Sequence, residues 1–350
     1  MKTRIWIKLL CFCTPLILFS CIDAYDPKLV GQERYLAFEG TLTDGPGPYW
    51  FTLSKSAGYN NTESVFDRRI TGATVTVTDD TGQIVRFIDD SRGNYVSPTG
   101  FRGKVGRRYT LNLTYLGQSY RSDPELLQAV PPIDTVYWRY QSVKPRQDSN
   151  GDFAVYIDLK DPAGATNYYK WDWIHYERTD FCGTYTPPNS IITYKKPCCP
   201  SDCWIIARSA GEIILASDQF INGNKLTGLR VATIPFEAAG PYYLRIGQHS
   251  LSEKAYQYWQ TVRSITSNVG GVFDVTPATL PGNLHNLKAD GAPLVGYFQV
   301  SGVRERIVYI NRYAPPRLPF APTNRPYWDT CDPCVDGLYR TPVRPEGWRD

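Results

Sequence analysis

The residues best suited to chemistry are six cysteines in the second half of the chain. They are Cys182, Cys198, Cys199, Cys203, Cys331 and Cys334. Thiols can pair as disulfides, ligate zinc as thiolates or exchange electrons in a Cys-x-x-Cys motif. Prolines flank and interrupt the motif at Cys331 and Cys334, whereas a redox motif starts a helix with its first cysteine. The chain has nine cysteines, of which Cys11 and Cys13 lie in the predicted signal peptide and Cys21 is the predicted acylation site. The even number that remains favours disulfides in an exported chain, so all six are disulfide candidates.

The pairing of these cysteines stays open at the level of sequence. Neighbouring Cys198 and Cys199 are poorly placed to bond each other, so at least one must reach elsewhere. A bridge from this group to the Cys331 and Cys334 pair would close a loop of roughly 130 residues. The alternative is a tetrahedral zinc site that draws on Cys198 or Cys199, Cys203, Cys331 and Cys334.

The remaining polar residues form no catalytic pattern. The three histidines lie far apart, without the spacing of a metal-ligand pair, and are His175, His249 and His285. Ser250 lacks the glycines of a nucleophile elbow, and its spacing to Glu253 predicts a helix cap instead. We therefore expect neither catalytic residues nor a metal or cofactor, with an unrecognised hydrolase as the alternative.

Aromatic residues supply the other candidate site. The chain holds 25 Tyr and 9 Trp, and several of these rings fall on one predicted strand near residue 170. Alternation along that strand sends Trp171 and Trp173 to the face opposite Tyr168 and Tyr176. If the tryptophans fill a core, Tyr168 and Tyr176 are left as a candidate ligand surface, where exposed rings can stack on sugars or bind peptide.

The N-terminus predicts export with a lipid anchor. Lys2, Arg4 and Lys8 precede an apolar run that ends in Leu18-Phe19-Ser20-Cys21. The run is about half the roughly 20 residues that a membrane-spanning helix needs, so a transmembrane anchor is the weaker alternative. The pattern predicts a lipoprotein signal peptide over residues 1–20, acylation of Cys21, and a polar tether over residues 21–34.

The charge balance excludes a nucleic-acid partner. Removing the three positive charges of the signal peptide from the formal net charge of +4 leaves about +1 for the mature chain. Phosphate binding needs clustered Lys and Arg, and here the basic residues are interspersed with acids.

Two β-rich domains are predicted to follow the tether. Over residues 35–130, short alternating runs separated by turns predict an immunoglobulin-like or prealbumin-like β-sandwich. Val130-Pro131-Pro132 marks the boundary, because prolines cannot continue a central strand. Residues 131–350 predict a second, fibronectin type III-like domain, with an insertion and a tail held by disulfides. Apolar residues at three- and four-residue steps predict one amphipathic helix over residues 251–267.

Several stretches, in order, resemble a known family. They are Asp44-Gly-Pro-Gly-Pro-Tyr49, Gly72-Ala-Thr-Val-Thr-Val77, Pro131-Pro-Ile-Asp134, Gln248-His-Ser-Leu-Ser252, Ala255-Tyr-Gln-Tyr-Trp259, Gly270-Gly-Val-Phe-Asp274, Pro281-Gly-Asn283, Gly296-Tyr-Phe298, Cys331-x-x-Cys334 and Arg344-Pro345. Together they resemble the Bacteroidetes outer-membrane lipoproteins grouped as domain of unknown function 4249. The resemblance implies an accessory role beside a TonB-dependent receptor, and it carries over no catalytic residues.

These observations predict a non-enzymatic outer-membrane lipoprotein that helps a TonB-dependent receptor to capture its ligand. A free-standing surface adhesin or carbohydrate-binding module is the alternative. Asp23 and Asp26, shortly after Cys21, resemble an acidic export signal, so we expect display on the cell surface rather than on the periplasmic face.

Overall fold

The computed structural model describes most of the chain from Tyr35 onward. The described residues are 35–56, 68–142, 151–178, 203–209, 211–219, 222–236, 240–267, 280, 282–313, 334, 336–337 and 339–349, with the backbone alone of 181–185 and 194–197. The predicted signal peptide, Cys21 and the tether lie outside this range. So do Cys198, Cys199 and Cys331, and nothing is described of the Cys182 side chain.

The chain is mainly β, as predicted. Its described strands are β1 (Leu36–Thr43), β2 (Trp50–Lys55), β3 (Thr74–Asp79), β4 (Ile84–Asp89), β5 (Asn94–Val96), β6 (Arg108–Tyr115), β7 (Gln118–Ser122), β8 (Glu125–Leu126), β9 (Thr135–Gln141), β10 (Asp152–Lys160), β11 (Tyr168–Arg178), β12 (Phe181–Tyr185), β13 (Tyr194–Pro197), β14 (Trp204–Arg208), β15 (Ile214–Ser217), β16 (Lys225–Pro235), β17 (Pro241–Leu251), β18 (Leu284–Asn286), β19 (Leu294–Ser301), β20 (Val303–Asn311) and β21 (Arg340–Thr341). One helix, α1 (Glu253–Ser267), accompanies them in the described part of the chain.

The first sheet curls around its own core. Its strand order is β18-β7-β6-β3-β4-β5-β2-β1-β19, and β8 pairs with β6 at one side. In β3 and β6 the inward positions are apolar and the outward positions polar, because successive side chains point to opposite faces of a strand. Phe51 and Val75, from the two halves of the sheet, belong to one buried cluster, which gives the sandwich-like arrangement.

Two strands from late in the chain complete this first sheet. β19 pairs in parallel with β1, with Leu36 opposite Leu294 and Thr43 opposite Ser301. β18 pairs with β7. The predicted unit over residues 35–130 therefore contains only part of the sheet, since strands that lie beyond the boundary at Val130 return to it. Local strand patterns gave no sign of this return.

The second β-rich region is a separate sandwich. The sheet β16-β10-β9 faces the sheet β20-β17-β11-β14-β21, to which β15 adds through β11. Phe153 and Ile157 from one sheet share a buried cluster with Trp171 and Ile246 from the other. Tyr169 and Trp171 thus point into the core, which leaves Tyr168 and Lys170 on the opposite face of β11.

The helix begins later than predicted, and its cap is a different serine. Ser252 Oγ accepts a hydrogen bond from the Ala255 N–H at 3.2 Å, which makes Ser252 the N-cap. The predicted cap, Ser250, lies instead in β17, because that strand stays paired with β11 as far as Leu251. Ser250 Oγ donates to the Gln128 carbonyl and accepts from the Gly302 N–H, both at 2.8 Å. Among the described residues, no helix has the length and apolar character that a membrane crossing requires.

Candidate functional site

A cleft of about 640 Å³ lies between the outer face of the first sheet and α1. Glu39 and Thr41 of β1 and Thr52 of β2 line one wall, on the face opposite the buried Phe38 and Phe51. Tyr258 and Trp259 of α1 line the other wall. The volume falls within the range of about 300–1,000 Å³ that is usual for ligand pockets.

Lys170 projects into this cleft from the second sandwich. It stands in β11 between Tyr169 and Trp171, which are both buried, so alternation turns its side chain outward. Its Nζ lies 3.9 Å from the centroid of the Trp259 ring, a cation–π contact. Burial lowers the pKa of Lys170, and the negative charges of Asp172 and Glu39 oppose this only in part.

The ring of Trp259 is held in place from behind. Its Nε1–H donates to Gln299 Oε1 at 2.7 Å, and Gln299 Nε2 donates to Ser301 Oγ at 2.8 Å. Gln299 and Ser301 are both buried in β19. The neighbouring Tyr258 packs on Tyr297 with ring centroids 4.9 Å apart. Burial, together with the charge of Glu39, raises the pKa of Tyr258 to about 12. The aromatic wall is therefore fixed before any ligand binds.

A buried carboxyl group fastens the helix to the first sheet beneath the cleft. Glu125 accepts hydrogen bonds from the Tyr297 hydroxyl, from the Ser252 hydroxyl at 2.8 Å and from Asn283 Nδ2 at 3.4 Å. Burial raises the pKa of Glu125, and these donors oppose the rise. Since the cap of α1, β8 and β19 all meet at this group, Glu125 positions the cleft wall rather than lining it.

Next to Lys170, a histidine and a carboxylate pair across two strands. His249 Nε2 lies 3.1 Å from Asp172 Oδ2. Burial favours the neutral acid, but His249, Lys170 and Arg245 together outweigh it and lower the pKa of Asp172. In the residues that the structure describes, no group of three or more His, Cys, Asp or Glu side chains could hold a metal ion.

The structure does not bring the two predicted ligand-surface tyrosines together. Tyr168, at the start of β11, is half-buried and packs on Tyr256 with centroids 4.9 Å apart. Tyr176, near the other end, contacts Tyr243 edge-on at 5.5 Å. Both lie on the face opposite the core, and their role in ligand binding stays a prediction.

Two of the six candidate cysteines are joined. Cys203, which is buried, forms a disulfide with Cys334, with 5.8 Å between their Cα atoms. In this structure the two sulfurs are bonded to each other and do not offer thiolates for the alternative zinc site. The bond links the start of β14 to the C-terminal segment.

Comparison with known protein families identifies the family to which the chain belongs. A family model described as a domain of unknown function, DUF4249, matches residues 22–307. The chain belongs to the DUF4249 family. This match contains every cleft residue named above. A comparison with curated proteins returned no match.

In this DUF4249 protein, two of the stretches that carried the resemblance meet in space. The Asn283 side chain pairs with the backbone of Phe298 in the way that a neighbouring strand would. Its Oδ1 accepts from the Phe298 N–H at 2.8 Å, and its Nδ2 donates to the Phe298 carbonyl at 3.0 Å. Gly282 lies so close to the backbone of Gly296 that a Cβ there would overlap the Gly296 carbonyl. Packing at the cleft's edge explains why glycine and asparagine occupy these positions.

Sequence reasoning missed most of the cleft. The apolar period of the helix includes Tyr258 and Trp259 but indicates no ligand role for them, and no sequence pattern singles out Lys170, Glu39 or Gln299. One signal was available: Lys170 is a lone cation between the aromatic residues of a strand whose alternate positions are buried.

Proposed function

We propose that this DUF4249 protein is a non-enzymatic, lipid-anchored protein of the outer membrane that captures a ligand for a TonB-dependent receptor. The observation that carries the proposal is the cleft, with fixed rings on one wall and an ammonium group within it. Ligand sites are typically concave and mostly apolar, with a few placed polar groups, and the cleft has this character.

The N-terminus supports the location. The sequence ending in Cys21 has the pattern of a lipoprotein signal, and the family match begins directly after that cysteine. Triacylation provides more than one acyl chain, which makes anchoring stable. The polar residues 21–34 could extend to roughly 45 Å, enough to let the folded part reach a neighbouring receptor in the same membrane.

Purification of the acylated protein from its native membrane in mild detergent tests the proposal. We expect a TonB-dependent barrel receptor to co-purify. A Cys21→Ser variant, which cannot be acylated, serves as the control. It should leave the membrane fraction, so that the receptor, which stays in the membrane, no longer co-purifies with it. Repeated monodisperse preparations that contain no receptor would contradict the proposal.

A ring cluster on the second sandwich favours one other function, carbohydrate binding by a free-standing surface module. Tyr243 contacts Tyr176 and Tyr309 edge-on, and the Arg245 guanidinium lies 5.8 Å from the Tyr176 ring. Screening the protein on a glycan array tests this alternative. A hit that is lost in Tyr168→Ala or Tyr176→Ala would support it, and an array without hits would remove it.

A further inference from the structure

We propose that the cleft binds a singly charged organic anion, with its carboxylate against the Lys170 ammonium group and its apolar or ring-shaped body along Tyr258 and Trp259. This inference deepens the proposed capture function and rests on it, because it names the class of ligand. A phosphate group could also pair with the Lys170 ammonium group. The negative charge of Glu39 in the cleft favours a carboxylate over a phosphate.

The first argument is the missing counter-ion. No carboxylate in the described part of the chain forms an ion pair with Lys170, whose ammonium group lies against the Trp259 ring. The nearby Asp172 is paired with His249 instead. Burial opposes the charge of an ammonium group that lacks a partner. A bound anion would supply Lys170 with the negatively charged hydrogen-bond acceptor that the described residues do not provide.

The second argument is the apolar lining beside this charge. Ala37, Val295 and Pro293 line the cleft together with the rings of Tyr258 and Trp259. The buried Gln299 holds the indole, and the indole in turn holds the ammonium group, so charge and rings keep a fixed relation. Such preorganisation favours a ligand that carries its anion beside an apolar body.

The third argument is Glu39, which selects for a single charge. It is exposed, lines the same cleft, and its negative charge acts on both Lys170 and Tyr258. One carboxylate brings the ligand, Lys170 and Glu39 to a net charge of minus one. A dianionic phosphate would add a second repulsion with Glu39, because like charges in a partly buried site disfavour each other.

Calorimetric titration of the full mature chain with benzoate, phenyl phosphate and the neutral benzamide tests the proposal. We expect benzoate to bind about tenfold or more tightly than benzamide, with phenyl phosphate between them. Lys170→Met should lower benzoate binding to the level of benzamide. Lys254→Met, which changes an exposed lysine of α1 outside the cleft, should leave all three affinities unchanged.

Glu39→Gln provides a second test at an exposed position that does not endanger folding. It should raise the affinity for phenyl phosphate by several-fold and bring it level with benzoate or above it. Phenyl phosphate that binds the unmodified protein more tightly than benzoate would overturn the preference for a carboxylate.

Three results would overturn the proposal: benzamide binding as tightly as benzoate, benzoate binding unaffected by Lys170→Met, or no benzoate binding up to about 10 mM. If benzamide binds as tightly as benzoate and Trp259→Phe weakens both, ligand capture stands but the preference for an anion is wrong. Failure of the receptor to co-purify would instead remove the proposed partner, so the two failures are distinguishable.

Discussion

Glu125 carries a buried carboxyl group with a structural role, because it joins three segments of the chain. Its three hydrogen-bond donors come from the helix cap, from β19 and from the segment before β18. Only 3% of the residue is exposed to solvent. Burial raises the pKa of Glu125, so the folded protein binds this proton up to a higher pH than the unfolded chain does.

A Glu125→Gln variant should change how stability depends on pH. The stability that a raised pKa contributes is fully present below the unfolded pKa of about 4.3 and is lost as the pH rises through the higher folded value. We therefore expect the free energy of unfolding of the variant, relative to the unmodified protein, to increase between about pH 4.5 and pH 7. Urea unfolding at several pH values measures this difference.

The control for that series is Glu253→Gln, which removes an exposed carboxyl from the first turn of the same helix. If the unfolding free energies of the Glu125→Gln variant and of the unmodified protein change with pH by the same amount, the buried carboxyl group does not titrate as argued.

At the scale of elements, the junction between β1 and β19 holds the first sheet and the cleft together. β19 contributes Tyr297 and Gln299 to the support of α1, and it pairs with the strand that carries Glu39. Gly296 has a φ of +115°, and a Cβ at this position would overlap the Phe38 carbonyl. A side chain here would force the two paired strands apart.

We expect Gly296→Ala to lower the free energy of unfolding by about 3 kcal/mol or more, since it combines backbone strain with a steric overlap. Gly117→Ala is the matched control: Gly117 also has a positive φ, of +71°, but open space surrounds it. The Gly117→Ala variant should lose only about 1 kcal/mol of its free energy of unfolding. Denaturant unfolding of both variants measures the difference, and equal losses would show that the close approach at β19 is not rigid.

The same elements show how far sequence patterns reach. Alternation correctly predicted short strands within residues 35–130, such as β3 and β6, because each buries one face of a local segment. The capping pattern placed the helix within two residues of its start but chose Ser250 over Ser252, since local spacing does not register that β17 stays paired to Leu251.

The cleft could not be predicted in the same way. Its walls come from β1, β2, β11, α1 and β19, which lie up to roughly 260 positions apart in the chain. Hydrophobic periodicity describes one segment at a time, so it cannot show that these elements meet. Alternation correctly placed Trp171 on the face of β11 opposite Tyr168, but the same alternation indicated a role for Lys170 only once α1 was seen to cover it.

The C-terminal segment is attached to the second sandwich by a disulfide, by strand pairing and by ring packing. The disulfide joins Cys203 to Cys334 across a sequence separation of 131 residues. Beyond it, β21 pairs with β14, and Trp348 packs on Trp204 and on Tyr243, with ring centroids 6.1 and 5.9 Å apart. The tail is thus fixed both covalently and by ring packing.

Replacing both cysteines, in a Cys203→Ser, Cys334→Ser variant, should lower the free energy of unfolding by up to about 5 kcal/mol, because a cross-link over so long a loop restricts the unfolded chain. Denaturant unfolding with and without reductant measures the loss. Reductant should destabilise the unmodified protein and affect the double variant much less. Equal sensitivity of the two proteins to reductant would show that this bond contributes little.

The sheet topology also predicts that the first sandwich cannot fold from its own contiguous segment. A fragment of residues 21–130 lacks β18 and β19, which would leave β1 and β7 as unpaired edges and remove Phe298 and Val300 from the core. We expect this fragment to show no cooperative unfolding by circular dichroism. Extension to residue 313 should restore the transition, and a cooperative transition in the short fragment would contradict the prediction.

The parallel pairing of β1 with β19 also sets an order of events during synthesis and export. β1 is among the first strands to emerge, yet its partner emerges roughly 260 residues later, and contacts this distant in sequence form slowly. Until then the growing chain carries an open strand edge. Because β19 completes the first sheet, the first sandwich can close only after most of the second has been made. The cleft between the first sheet and α1 is complete only once β19 has emerged, so a chain whose export stops before β19 lacks this cleft.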